Sequence, residues 1–387
     1  MGQQTVPIGV LFSVDGSYAD VSRSMLNGAL LAFAEWNDSN QSPVKLAPTI
    51  ANPAGDLSRY DALCRDLLAQ GHQHIVGCYT SSSRKEIIPR FEKADALLWY
   101  PTHYEGFECS ANVIYTGAVA NQHLLPLADY MLGHHGRTAF CVGSNYIWAW
   151  ENNRILRERL TAAHGRILAE RYFSIGETDF AQVIEAIVKA RPAFVFNTLI
   201  GISSYWFLRD LRAACQARGI DQPNAIPVAS CTLSEPELEA IGADAADGHI
   251  AASVYFSTIA APENDRFVAA YTARYPQGPV VCADAEAAYI AVQLLALSLA
   301  EAHGRTDVDA VKRAVTQVRM QAPQGLVSVD PETLHATLTP RIGRSRKDMR
   351  FEILAEAPAP VRPDPYLIWN SPRFGTAGSP PAMQVAV

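Results

Sequence analysis

The strongest constraint in this sequence is an alternation that runs once and then starts again. Short apolar runs at 8–12, 45–50, 74–78, 96–100 and 112–115 are separated or followed by helical patterns at 21–36, 56–70, 81–93 and 121–135. In the first helical pattern Met25, Leu26, Ala29, Leu30 and Phe33 fall on one face, the spacing of an amphipathic helix. Asp56 and the Ser81-Ser82-Ser83 cluster stand where N-caps are expected. The cycle then repeats, with strand-like runs at 138–143, 167–173, 193–198, 226–230 and 250–255 and helical patterns at 151–164, 179–190 and 203–218. Helical patterns at 263–275, 283–303 and 308–318 follow, and the tail from Ala322 breaks into short β-like pieces among prolines. The stretch with Pro358, Pro360, Pro363 and Pro365, then 378–381, reads as irregular.

Strands separated by helices of this length are βαβ units, because parallel neighbours need a crossover. The expected class is α/β, with two doubly wound parallel-sheet lobes joined by a hinge. A chain of 387 residues is long enough for two cores.

Charge narrows the partners. A formal net charge of −7 argues against direct binding to nucleic acid or an anionic membrane, which demand clustered Lys and Arg. Arg341, Arg344, Arg346, Lys347 and Arg350 are the one basic run, read as a solvated loop. The first residues are polar and lead at once into a strand, without the basic and apolar regions of an export signal. The stretch 283–302 is the nearest to a membrane span, but Asp284 and Glu286 mark it as a core helix. Seven cysteines at 64, 78, 109, 141, 215, 231 and 282 follow no disulfide or CxxC pattern. Reduced core thiols and a cytoplasmic location are the expectation.

Ligands of parallel sheets sit beyond the carboxyl ends of the strands. Those segments here hold Tyr79, Thr80 and Ser81; then Tyr100, Thr102, His103 and Tyr104; then Ser144, Asn145, Tyr146 and Trp148; and Thr232 with Ser234. Glu105 and Glu235 are the nearest carboxylates. Aromatic walls with hydroxyls suit a small neutral ligand that makes hydrogen bonds. Nucleophile elbows, zinc motifs and phosphate loops do not occur. His72 with His74, and His134 with His135, lack the partners of a metal site. Cys78 is read as a buried structural thiol. No catalytic residue, metal or cofactor is expected.

A family resemblance rests on particular segments. They are 77–81 with Arg84-Lys85, 94–98, Tyr100-Pro101-Thr102-His103-Tyr104-Glu105-Gly106-Phe107-Glu108, 112–115, Gly143-Ser144-Asn145-Tyr146-Ile147, Ala287-Ala288-Tyr289, Ala322-Pro323-Gln324-Gly325 and Arg362-Pro363-Asp364-Pro365-Tyr366. Together they resemble the amide-sensor negative regulators of amidase operons, and the urea- and short-chain-amide-binding proteins of ABC transporters. The resemblance implies the type I periplasmic-binding-protein fold. It implies one lobe at 1–120 plus 250–325 and a second at 121–249 plus 326–387. It places the ligand between the lobes, against Tyr79, Ser81, Tyr100, Thr102, Tyr146 and, less closely, Thr232. His103 and Trp148 depart from the pattern: amide sensors tend to have Pro and Tyr there, and urea binders Gln at the first. The implied function is a cytoplasmic regulator of an amidase-type operon that binds a small neutral amide, or a urea-like or nitrile-derived relative, and releases an RNA-binding antiterminator partner. The alternative is the substrate-binding protein of an amide or urea transporter. A homo-oligomer is left open.

Overall fold

A computed structural model describes residues 4–39, 43–369 and 384–385. The segment 378–381, expected to be irregular, lies outside the described residues.

The first cycle contains β1 (Gln4–Leu11), α1 (Ala19–Asp38), β2 (Val44–Ala51), α2 (Leu57–Ala69), β3 (His74–Gly77), α3 (Ser81–Ala94), β4 (Leu97–Tyr100) and β5 (Val113–Tyr115). After a single turn of 3-10 helix come α4 (Leu124–His134), β6 (Thr138–Ser144), α5 (Ile147–Ala162), β7 (Arg166–Phe173), α6 (Ala181–Ala190), β8 (Phe194–Thr198) and α7 (Ile202–Gln216). Next are α8 (Gln222–Ala225), β9 (Val228–Ser230), α9 (Glu235–Ile241), α10 (Ala243–Ala246) and β10 (Ile250–Ser253). The chain then forms α11 (Pro262–Arg274), α12 (Ala283–Glu301) and α13 (Val308–Val315). It ends on β11 (Arg319–Ala322), β12 (Gly325–Val329), β13 (Ala336–Thr337), β14 (Arg341–Ser345), β15 (Phe351–Glu356) and β16 (Gln384–Val385).

Two compact units result. Lobe 1 is residues 1–118 with 260–338, and lobe 2 is 119–259 with 339–387. The sequence expectation had put 250–259 in the first lobe and 326–338 in the second. Strand pairing explains the difference. β10 is parallel to β9 and antiparallel to β14 in lobe 2, while β12 pairs with β11 and β13 in lobe 1.

The lobe 1 sheet has the order β2-β1-β3-β4-β5, all parallel. β3, β4 and β5 are buried along their whole length, so they read as continuous apolar runs rather than as alternations. Helices α1 and α12 pack closely: a Cβ on Gly28 would lie 2.0 Å from the Ala285 carbonyl oxygen. α12 is long and apolar enough to cross a membrane, but most of it is buried here.

The lobe 2 sheet runs β16-β15-β14-β10-β9-β8-β6-β7. Its parallel part is β7, β6, β8, β9 and β10, and an antiparallel run of β14, β15 and β16 extends it. Its core joins Phe140 and Val142 of β6 with Val183, Ile184 and Ile187 of α6 and Phe207, Leu208 and Leu211 of α7. The basic run falls on β14 and the turn after it. Arg341 is buried against Glu356 and the Val254 carbonyl, while Arg344 and Arg346 share Glu352. Arg341 and Arg344 thus stand on an interior strand, where the sequence had read a solvated loop, while Arg346, Lys347 and Arg350 are exposed in the turn after it, as expected.

Candidate ligand-binding site

In each parallel sheet the strand order reverses at one point. The reversal lies between β1 and β3 in lobe 1 and between β6 and β8 in lobe 2. The loops at the carboxyl ends of those strands diverge and leave a crevice.

In lobe 1, β3 ends on Gly77 and is followed by Cys78, whose φ of +69° is left-handed although it carries a side chain. Such a conformation costs on the order of 1–3 kcal/mol and persists where the surroundings enforce it. The enforcing bonds are visible: the Cys78 N–H donates to the Leu11 carbonyl at 3.0 Å, and the Cys78 carbonyl accepts from the Thr102 hydroxyl at 3.1 Å. The thiol is buried, and burial pushes its pKa up, so it is no nucleophile at neutral pH. Tyr79 follows, its ring 5.1 Å from that of Tyr18. Thr80 caps α3, with its Oγ1 accepting the Ser83 N–H at 3.1 Å. The three serines expected as caps therefore form the first turn instead. Thr80 takes the cap because its backbone is extended while theirs is already helical.

Ser81 opens α3 and donates its hydroxyl proton to Glu105 Oε2 at 2.5 Å. Glu105 is 1% exposed, and its other oxygen accepts from Arg84 at 3.2 Å. Arg84 is wholly buried, bonds Glu108 at 2.6 Å, and lies over the rings of Tyr100 and Tyr104 at 4.7 and 4.4 Å. Lys85 reaches Glu108 at 2.7 Å. Burial pushes the Glu108 carboxyl up, but Arg84 and Lys85 outweigh it and hold it below the ordinary glutamate value. Behind these charges Tyr104 and Tyr115 stack on His335, and Tyr104 bonds the His335 Nε2 at 2.5 Å.

Tyr100 is wholly buried and gives its proton to the Tyr79 carbonyl at 3.2 Å. Thr102 is buried two residues on, and His103 is half-buried. A Cβ on Gly117 would lie 2.2 Å from the Thr102 carbonyl, so only glycine lets that strand end pass. Five of the eight expected site residues thus gather at the ends of β3 and β4 in lobe 1.

The other three lie in lobe 2. Tyr146 is half-buried at the N-cap of α5, and its N–H bonds the Ser144 carbonyl at 2.8 Å. α5 begins a turn earlier than its charge pattern suggests, so Trp148 is helical. It is buried against His123, with ring centroids 5.6 Å apart, and its carbonyl accepts from Asn152 at 2.7 Å. Thr232 follows β9, its hydroxyl 3.1 Å from that of Ser230. It lies one strand away from the switch point. Glu235, also noted in the sequence, is buried, which raises its pKa, and it accepts the Ser257 N–H at 2.9 Å.

The sequence reading did not include the switch-point partners of lobe 1, which are Ser13, bonded to the Tyr60 hydroxyl at 2.8 Å, and Tyr18. In lobe 2 the hydroxyl of Ser144, a strand-end residue noted in the sequence, accepts the Ile200 N–H at 3.2 Å, tying β6 to β8. The signal was available: the end of β1 is the first carboxyl strand end in the chain.

At the amino end of the lobe 1 sheet a pocket of about 130 Å³ is lined by Gln4, Thr5, Gly71, Gln73, His74 and Thr306. Both His74 nitrogens are engaged there, by Trp99 at 3.5 Å and the Thr306 carbonyl at 3.0 Å. Among the described residues no three His, Cys, Asp or Glu side chains group as metal ligands.

Comparison with known proteins agrees with this fold. The family described as periplasmic binding protein domain matches residues 6–372. A Leu/Ile/Val-binding protein homolog of Brucella abortus is 21% identical over 337 residues, covering 86% of this chain and 85% of that protein. A limonene hydroxylase of Geobacillus stearothermophilus is 26% identical over 125 residues, but the match spans only 23% of that protein and 32% of this chain. Among solved structures, an ABC transporter solute-binding protein of Rhodopseudomonas palustris HaA2, in complex with p-hydroxybenzoic acid, superposes with a TM-score of 0.85. It is 20% identical, and the match covers 95% of this chain and all of that one.

Proposed function

Because the chain belongs to the periplasmic binding protein domain family, we propose that it is a solute-binding protein for a small, neutral, amide-like ligand, of the kind that serves an amide or urea ABC transporter. One observation carries the reading. Tyr79, Ser81 and Thr102 converge at the ends of β3 and β4, beside the switch point, on a frame of buried ion pairs. Hydroxyls and aromatic walls suit a ligand that is recognised by hydrogen bonds and carries no charge of its own. The relatives support the size class: one is named for branched-chain amino acids and another holds a hydroxybenzoic acid.

A thermal-shift screen with acetamide, propionamide, urea and benzamide tests this, since a ligand of the native state raises its melting temperature. A rise with at least one of them is expected. Melting unchanged by all four, at concentrations up to tens of millimolar, removes the amide reading.

A second reading keeps the same ligand but makes the chain a cytoplasmic sensor that restrains an RNA-binding antiterminator. Seven cysteines outside any disulfide, six of them buried, favour a reducing compartment. Cell fractionation separates the two: a cytoplasmic pool that loses an RNA-binding partner when amide is added supports the sensor, and an exported pool supports the receptor.

A further inference from the structure

Each hydroxyl group has one proton to give and two lone pairs to offer. At the lobe 1 strand ends those protons are already committed. Ser81 points its proton at Glu105, Thr102 at the Cys78 carbonyl, Tyr100 at the Tyr79 carbonyl, and Ser83 at the Thr80 carbonyl, the last at 2.8 Å. The Ser81 arrangement is the most rigid of these. Glu105 is buried and held from its far side by Arg84, with Lys85 3.9 Å away. If Ser81 turned its proton elsewhere, a buried carboxylate oxygen would lose its partner, which is costly. Ser81 also accepts a long bond from Arg84 Nη1 at 3.4 Å, so it keeps one lone pair to present, and Thr102 keeps its own. The backbone N–H groups at the start of α3 suit a carbonyl and a carboxylate oxygen alike, so they do not discriminate between ligands. The hydroxyls do.

We propose that Glu105 is a positioning residue that sets specificity. By taking the Ser81 proton it fixes Ser81 as an acceptor, and with Thr102 fixed by the Cys78 carbonyl, the site selects a group bearing N–H donors, a primary carboxamide or a urea, over the isosteric carboxylate. The inference rests on the reading that these strand ends bind the ligand. It goes beyond that reading by naming the residue that separates an amide receptor from an acid receptor on one fold.

Glu105→Gln reverses the polarity with little change of shape. Facing Arg84 and Lys85, the new amide turns its oxygen toward them and its NH2 toward Ser81, which sets the Ser81 proton free for a ligand oxygen. The experiment is calorimetric titration of the full chain and of E105Q with two pairs, acetamide against acetate and benzamide against benzoate. The wild-type chain is expected to prefer the amide of each pair. E105Q is expected to lose at least tenfold of that preference, mainly by gaining affinity for the carboxylate, a change of sign that loosened packing does not produce. Amide binding retained with the preference unchanged in E105Q overturns this inference and leaves the amide reading standing. A wild-type chain that binds neither amide overturns both. Should E105Q fail to fold by circular dichroism, Ser81→Ala replaces it. A tenfold or greater loss of amide affinity with no gain for the carboxylate supports the role, and unchanged amide affinity overturns it.

Discussion

The carboxyl strand ends of lobe 1 and lobe 2 occupy the same place in two sheets of the same kind, yet they are held in position by different chemistry. In lobe 1 the frame is ionic. Arg84, Glu105, Glu108 and Lys85 form a mostly buried cluster that fixes Ser81 and is capped by Tyr100 and Tyr104. In lobe 2 the frame is neutral: Trp148 on His123, Thr232 on Ser230, and Ser144 bridging to Ile200. An ionic frame fixes the direction of the Ser81 hydroxyl, because turning it away strands a buried charge. A neutral frame fixes shape and leaves polarity adjustable. On this account lobe 1 sets which functional group is recognised.

The comparison breaks most visibly at Arg84. Arg84→Met leaves Glu105 and Glu108 buried with only the half-exposed Lys85 to balance them. Losing one partner of a buried pair costs about 3–5 kcal/mol, and urea denaturation should register it. A loss under about 1 kcal/mol, the scale of a surface pair, would show that the cluster is not a frame. In lobe 2, Trp148→Ala removes a buried ring at a cost of about 3–5 kcal/mol in stability. If Trp148 bounds the ligand, the same change admits longer acyl chains in a thermal-shift series; an unaltered chain-length profile contradicts the size role.

Acid sharpens the contrast. Burial pushes His74 and His335 of lobe 1 and His249 of lobe 2 down to about 4. Folded, they stay neutral; unfolded, they take up protons below their ordinary pKa of about 6.5. Stability is therefore whole above about pH 6.5 and falls as the pH drops toward 4, by on the order of 3 kcal/mol for each histidine. Glu108 adds a further loss in lobe 1: its carboxyl is held below 4.5 in the fold, so its contribution is present above that pH and disappears as the pH falls through the lowered value. Unfolding free energy measured from pH 7 to 3 should decline with an uptake of about three protons. Flat stability across that range would contradict the buried neutral histidines. The smallest effect belongs to Thr102→Val, which should weaken amide binding by about 1–3 kcal/mol by calorimetry. Unchanged affinity would remove Thr102 from the site.

Much of this was legible in the sequence, and unevenly so. The strands buried on both faces announced themselves as apolar runs, and the restart near residue 120 located the second sheet. Asp56 caps α2 as expected, accepting the Ser58 N–H at 2.8 Å. The tail was legible only as short β-like pieces, and β14 was read as a loop because Arg341 and Arg344, which pair with Glu356 and Glu352, look like part of a charged run. Those charges pair across the strands, which a linear reading does not reveal. The same holds at the site. Ser81 and Thr102 were found from their position after strands, but the direction of their protons depends on Glu105 and Cys78, which lie 24 residues away in each case. Two of the resembling segments proved to be fastenings: Gln324 bonds Glu286 at 2.9 Å, and the Asp364 N–H bonds Asn121 at 2.9 Å.

The most direct test is a crystal structure of the chain with propionamide. The ligand is expected at the ends of β3 and β4, its NH2 within about 3 Å of the Ser81 and Thr102 hydroxyl oxygens, with Ser81 still bonded to Glu105. A ligand bound elsewhere, or a ligand carbonyl facing those hydroxyls with the Ser81–Glu105 bond broken, would contradict it.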